Sequence, residues 1–166
     1  MKINTRIVFL ILATLLYMCK PEHKNIEPQE NQNLNLNNFI TIADTIINDV
    51  VIKNPDNDDW TSYCLRHLDR ETLINDLFDL VYSEKLVPYD FFTDEVLSIA
   101  DIKLIESEEE YSRENVAKVQ FEESWSFDKD TQAMVKKVHS VMIAYELFTS
   151  EGKVKGYKPI FKVYLN

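Results

Sequence analysis

Between Val119 and Asp128 the chain alternates. Val119, Phe121, Trp125 and Phe127 share one parity, while Gln120, Glu122, Ser124, Ser126 and Asp128 share the other. Successive strand side chains point to opposite faces, so this is the pattern of a strand buried on one side. The "DKDT" that follows has turn chemistry, because Asp128 and Asp130 suit turn positions. A second apolar run carries Val135, Val141, Ile143, Tyr145 and Leu147 and is interrupted by Lys136 and Lys137. "TSEGKVKG" then supplies a longer turn, and "YKPIFKVYL" a third strand. Two consecutive hairpins predict a three-stranded antiparallel meander in the C-terminal half. The outer side of its third strand is expected to be an unpaired edge, able to accept another strand.

Upstream the period changes. Leu65, Leu68, Leu73, Leu77, Leu80 and Val81 form a helical stripe, and Asp69 with Thr72 provides a cap, which predicts a helix over 70–84. "LVPYDFFTDE" reads as a short edge strand or turn, since Pro88 has no N–H to donate. "SIADIKLIES" predicts one further short helix, capped at Ser98. "FITIADTIINDVVIK" fits two templates. Phe39, Ile42, Ile46, Ile47 and Val50 suit a helical face, while the β-branched density of "DVVIK" favours a strand ending at "NPDNDD". A bare meander with an aromatic face would aggregate, so one or two helices of the N-terminal half are expected to cover it, with Trp125 and Phe127 beneath them. The predicted fold class is α+β, in a single domain over 39–166.

Glu123 breaks the meander pattern by lying on the apolar parity between Phe121 and Trp125. A buried carboxylate is costly unless paired. Three readings are open: a site acid with a raised pKa, an ion pair with Lys136 or Lys137, or a place where the face opens to solvent.

Ahead of the folded part, "MKINTR" is basic, "IVFLILATLLYM" is a twelve-residue apolar run, and Cys19 follows at once. Residues 1–19 therefore have the layout of an export signal. As a helix the apolar run would span only ~18 Å, short for a transmembrane anchor. Its Cys resembles that of a bacterial lipoprotein signal, in which the Cys is lipidated, although Met18 stands where such signals carry a small residue. The alternative is an uncleaved hydrophobic anchor. "KPEHKNIEPQENQNLNLNN" over 20–38 is polar, rich in Asn, Gln, Glu and Pro, and reads as a disordered tether. The localisation expected is periplasmic, attached to the outer membrane.

Charge and composition narrow the function. Eighteen basic against twenty-eight acidic residues leave a net charge of −10, which repels phosphate backbones and argues against nucleic acid as a partner. With two glycines in the chain, Gly152 and Gly156, neither common glycine-rich phosphate loop can be built. Cys64, His67 and Glu71 at i, i+3 and i+7 are the best metal constellation available, but Asp69 falls where the helix should begin and would break the geometry. Cys64 is expected to be a small buried hydrophobe. The acidic run "ESEEEYSRE" reads as a solvated connector. No Ser or Cys nucleophile has a recognisable setting. The expectation is a non-enzymatic chain with no cofactor, no metal site and no catalytic residues. Against the acidic background, Lys153 and Lys155 with Tyr157 are the candidate partner-binding residues.

"FEESWSFDKDTQAMVKKV", then a polar loop and "GYKPIFKVYL", resembles the C-terminal part of the gliding-motility N component (GldN/PorN-like) of the type IX secretion machinery. Glu122, Glu123, Trp125, Phe127, Asp128, Lys158, Pro159, Phe161 and Tyr164 stand in matching places. Tyr89, Asp90, Asp94 and Glu95 are similar to the family's helix-to-"YD…DE" stretch. The likeness runs over 61–166. It implies a periplasmic scaffold in a ring beneath the outer membrane, with a K-type ring lipoprotein or another secretion component as protein partner. Homo-oligomerisation is left open. This chain is shorter than the family pattern, so a lipid-anchored binding module outside secretion is the alternative.

The anchoring expectation has a direct test. Wild-type protein should carry a lipid mass on Cys19 by mass spectrometry, and a Cys19→Ser variant should move from the membrane to the soluble periplasmic fraction.

Overall fold

In the computed structural model, residues 38–165 are described. The expected export signal over 1–19, with Cys19, and the expected tether up to residue 37 lie outside the described residues. Among the described residues, five strands form one antiparallel sheet in the order β1-β3-β4-β5-β2, accompanied by three helices. The central meander is β3 (Val116–Asp128), β4 (Ala133–Phe148) and β5 (Val154–Tyr164). It is flanked by β1 (Ile40–Val51) on β3 and by β2 (Pro88–Tyr89) on β5.

The ambiguous first segment is a strand. β1 runs beside β3 from the Ile40–Phe127 pair to the Val51–Lys118 pair, and Ile52 N–H continues the ladder to Ala117 O at 2.7 Å. Two β-branched residues in every turn would crowd a helix, whereas a pleated strand accepts them. The helical-face reading of Ile42 and Ile47 fails accordingly, since both are exposed. The outer edge of β5 differs from expectation at one end. β2 covers it only at Val163 and Lys162, using the Pro88–Tyr89 dipeptide at the rim of the sheet, while from Val154 to Phe161 the outer side of β5 has no strand partner among the described residues, as expected.

α2 (Arg70–Tyr82) starts where Asp69 accepts from Thr72 N at 3.0 Å and ends before Glu84, whose φ is +57°. It buries Leu77 and Val81 of the expected stripe together with Ile74 and Phe78, while Leu73 and Leu80 are half-buried and Leu68 is exposed. α3 (Ile99–Glu106) opens with a reciprocal cap, Ser98 to Asp101 and back, and buries Ile102. α1 (Asp59–Leu65) is a further helix, capped by Asp58 accepting from Thr61 N at 2.8 Å, and none of its residues is buried.

The core lies between α2, α3 and the near half of the meander. Ile74, Leu77, Phe78, Val81 and Ile102 meet Val116, Val119, Val141, Ile143, Tyr145, Phe161 and Val163. Phe78 and Phe161 touch edge to face at 5.1 Å. Trp125 and Phe127 do not belong to this core, contrary to the expectation from their parity. They are half-buried further along the hairpin. A bulge in β4 accompanies the change. Glu122 faces Ser140 but Glu123 faces Val138, so His139 is an extra residue in β4. Beyond it the parity of β4 reverses. Lys136 then stands opposite Trp125 and covers its ring at 4.2 Å, while Val135 pairs with Ser126 on the polar side.

The core assignment predicts unequal truncation costs. Phe161→Ala should destabilise by about 3–5 kcal/mol, as expected of a buried aromatic. Trp125→Ala should cost less than half of that. Chemical denaturation of the two variants in detergent decides it, and equal losses would place Trp125 in the core after all.

Candidate functional site

β4 enters the core as "VMIAYEL", and its odd residues Val141, Ile143 and Tyr145 face the helices. Glu146 therefore points to the opposite face, where it is 1% exposed. Its strand partner there is Tyr157 on β5. Lys53, just past the end of β1, reaches across the start of β3 to donate to Glu146 Oε2 at 2.8 Å, and lies 3.4 Å from Asn115 Oδ1. The other carboxylate oxygen, Oε1, is buried and accepts no hydrogen bond from the described residues. A buried acceptor without a donor carries its full desolvation cost, so this atom is a local strain on the fold.

The β4–β5 turn shapes the rim of this site. Thr149 N donates to Lys153 O at 2.8 Å and Gly152 N to Thr149 O at 2.9 Å. Gly152 takes φ +77°, a conformation that glycine adopts without strain. The turn sets Lys153 and Lys155 beside a cleft of 770 Å³ that is also lined by Lys53, Asp56, Glu146 and Tyr157. Lys153 has a weak counter-ion, Glu151 at 3.8 Å. Lys118 lies 5.5 Å from the Tyr157 ring centre and is itself paired with Asp49. Burial raises the Tyr157 hydroxyl above its ordinary pKa; the negative charges of Glu146 and Asp56 add to this, and Lys118 opposes it.

The three residues singled out in the sequence, Lys153, Lys155 and Tyr157, thus come together. Lys53 and Glu146 complete the group and escape a reading by parity. The one available signal is an acid inside an apolar run, the same signal that marks Glu123. In the structure Glu123 is buried and accepts from Trp125 Nε1 at 2.8 Å, with Lys136 at 4.0 Å. It is bound up with its neighbouring aromatic, and Lys137 is not its partner.

The metal constellation does not assemble on one helix. Cys64 lies on α1, which ends at Leu65, whereas Glu71 lies on α2, with His67 between them. Among the described residues no three His, Cys, Asp or Glu side chains are grouped to hold an ion. Cys64 is exposed, which corrects the expected burial. His139, the bulge residue, places Nε2 at 2.8 Å from Ser124 Oγ, and no carboxylate among the described residues bonds its other ring nitrogen. Among the described residues no helix is long and apolar enough to cross a membrane.

Of the acidic run expected to be a solvated connector, Glu109, Glu110 and Glu114 are exposed, while Glu106 and Glu108 form clamps. Glu106 binds Arg113 at 2.8 Å and accepts from Tyr82 OH, while Arg113 also lies 4.1 Å from the Phe78 ring centre. Glu108 takes Lys158 at 2.5 Å and Tyr145 OH at 2.6 Å. Burial opposes ionisation of Glu106, but the hydrogen bonds from Arg113 and Tyr82 and the Arg113 charge outweigh it, so its pKa is lowered. A carboxylate lowered on folding stabilises the protein above its unfolded value of about 4.3, and that stability is lost as pH falls through the folded value. The Tyr82 hydroxyl is pushed up to about 12 by burial and by Glu106. Its contribution is present below about pH 10 and is lost as pH rises through the folded value. Glu106→Gln should therefore lower stability at neutral pH and flatten the acid limb below about pH 4.3. Denaturation midpoints collected across pH test this, and an unchanged acid limb would show that the clamp does not titrate with folding.

Compared with known proteins, the chain matches no family model and no curated protein sequence.

Proposed function

We propose that this chain works by binding another protein, without turnover, as a scaffold component of a type IX-like secretion ring at the periplasmic face of the outer membrane. The observation that carries an association role is α1. A seven-residue helix is too short to be stable in water by itself. Here it buries none of its own side chains, yet it displays Trp60 at 73% exposure and Tyr63 at 56%. The two rings stack at 6.0 Å, and Arg66 covers Tyr63 at 3.7 Å. Trp, Tyr and Arg are the residues that dominate binding energy at protein interfaces. Concentrated on one helix, they suit a patch that a partner completes.

The resemblance of 61–166 to the gliding-motility N component supports a ring lipoprotein of the K type as that partner. The chain's own Cys19 favours a second reading, in which a self-anchored module serves a different assembly. Both readings place the protein at a membrane through its N-terminal lipid or anchor.

Crosslinking in native membranes separates them. Wild-type protein should recover a ring component, and Trp60→Ala with Tyr63→Ala should abolish that recovery while leaving thermal melting unchanged. Recovery of a partner foreign to secretion would favour the independent module. A double variant that crosslinks as wild type does, or turnover of a substrate by the purified protein, would overturn the association role through α1.

A further inference from the structure

The cleft over Glu146 is built differently from the aromatic patch on α1, and its chemistry asks for a small ligand. Its floor is a carboxylate that is 1% exposed, with one oxygen engaged by Lys53 and the other without a donor among the described residues. Its rim carries Lys153 and Lys155, set there by the β4–β5 turn. Tyr157 forms part of the wall, and Phe148, 37% exposed, lines the same cleft. At 770 Å³ the space falls within the roughly 300–1,000 Å³ usual for ligand sites.

Charge limits what can enter. A bare cation would meet Glu146 and Asp56 but be repelled by three lysines, and a bare anion would meet the lysines but leave Oε1 without a donor. A neutral polyol would satisfy Oε1 and leave the rim charges unused. What satisfies floor and rim together is a molecule that carries hydroxyl donors and an anionic group a few bonds apart, with an apolar face for the aromatic wall. We propose that this cleft binds an acidic saccharide, a sugar hydroxyl donating to Glu146 Oε1, the sugar carboxylate meeting Lys153 and Lys155, and a ring face resting on Tyr157. Lys53 is the movable part of the site. Its side chain is 32% exposed on a flexible stem, so it can turn aside and uncover the floor.

The site also accounts for an oddity of composition. A chain with net charge −10 would repel acidic glycans in general, whereas the cleft carries three lysines against Asp56 and Glu146, one positive charge in excess. Binding should accordingly weaken as salt rises, because the rim contacts are exposed.

The test is calorimetric titration of the full-length protein in detergent with tri-galacturonic acid and with a hyaluronan tetrasaccharide, beside neutral maltotriose and inorganic phosphate. At least one uronic oligosaccharide should bind, and maltotriose and phosphate should bind at least tenfold more weakly. Lys153→Ala with Lys155→Ala changes exposed side chains, so it should melt as wild type does and weaken binding at least tenfold. Glu146→Gln should weaken it similarly, because an uncharged amide keeps one acceptor oxygen where the carboxylate has two. Should Glu146→Gln fail to fold, the lysine variant decides. No binding of either uronic probe, equal binding of maltotriose or phosphate, or a lysine variant with unchanged affinity would overturn the proposal. None of these outcomes bears on partner capture through α1, so the two readings fail separately.

Discussion

Phe78 meets Phe161 edge to face, and around that contact α2 presses Ile74, Leu77 and Val81 onto the meander. The rest of the molecule is arranged by how far this cover extends. Thirteen helical residues reach about 20 Å, whereas the sixteen residues of β4 reach about 53 Å. One helix of this length can shield only the near half of the sheet. Val119, Val141, Ile143 and Val163 share the core with α2 and are buried, while Trp125, Phe127 and Met134 stay outside that core. The far half of the hairpin must manage its apolar surface by other means.

It does so with long charged side chains and bulges. Lys136 lies over Trp125, and Glu123 takes the indole N–H, so a half-buried aromatic keeps a polar partner on each side. The extra residue at His139 turns lysines and a valine to new faces at the point where helix cover ends. β1 is irregular too, with register shifts between Thr41 and Ala43 and between Ala43 and Ile46. Bulges on an edge strand disturb the row of free backbone groups that another chain would need for pairing, and Asp44 and Asp49 add charge there. At the opposite edge β2 is two residues long and includes a proline. The β1 edge is thus a poor template for strand addition and β2 blocks the end of the other, whereas β5 from Val154 to Phe161 keeps an edge that no described strand pairs.

Ion pairs close what packing leaves open. Glu106 and Arg113 hold the end of α3 to the start of β3, with Arg113 also over Phe78. Glu108 ties the same connector to Lys158 and Tyr145. Lys53 and Glu146 do the corresponding work on the other face, joining the end of β1 to β4. Glu106 uses both of its oxygens, and Glu108 gathers Lys158 and Tyr145 on Oε2. In the third, Glu146 Oε1 is fully buried and has no donor among the described residues, a remainder that calls for an explanation.

Local chemistry alone determined a good part of this protein. Period-two alternation set the three strands of the meander, Asp69 with Thr72 and Ser98 with Asp101 set two helix starts, and Pro88 confined its dipeptide to a sheet edge. Those signals act within a few residues, so they are visible without a partner in space. The strand identity of residues 40–51, the bulge at His139, the uncovered position of Trp125 and the role of the acidic run were decided elsewhere. β1 became a strand because β3 had a free edge to pair with, and Trp125 stays outside the core that α2 shares with the meander. Of the candidate site, the sequence marked Lys153, Lys155 and Tyr157 by their charge contrast. Lys53 and Glu146 lie ninety-three positions apart, and their ion pair exists because one strand's end and another strand's middle are brought together by folding.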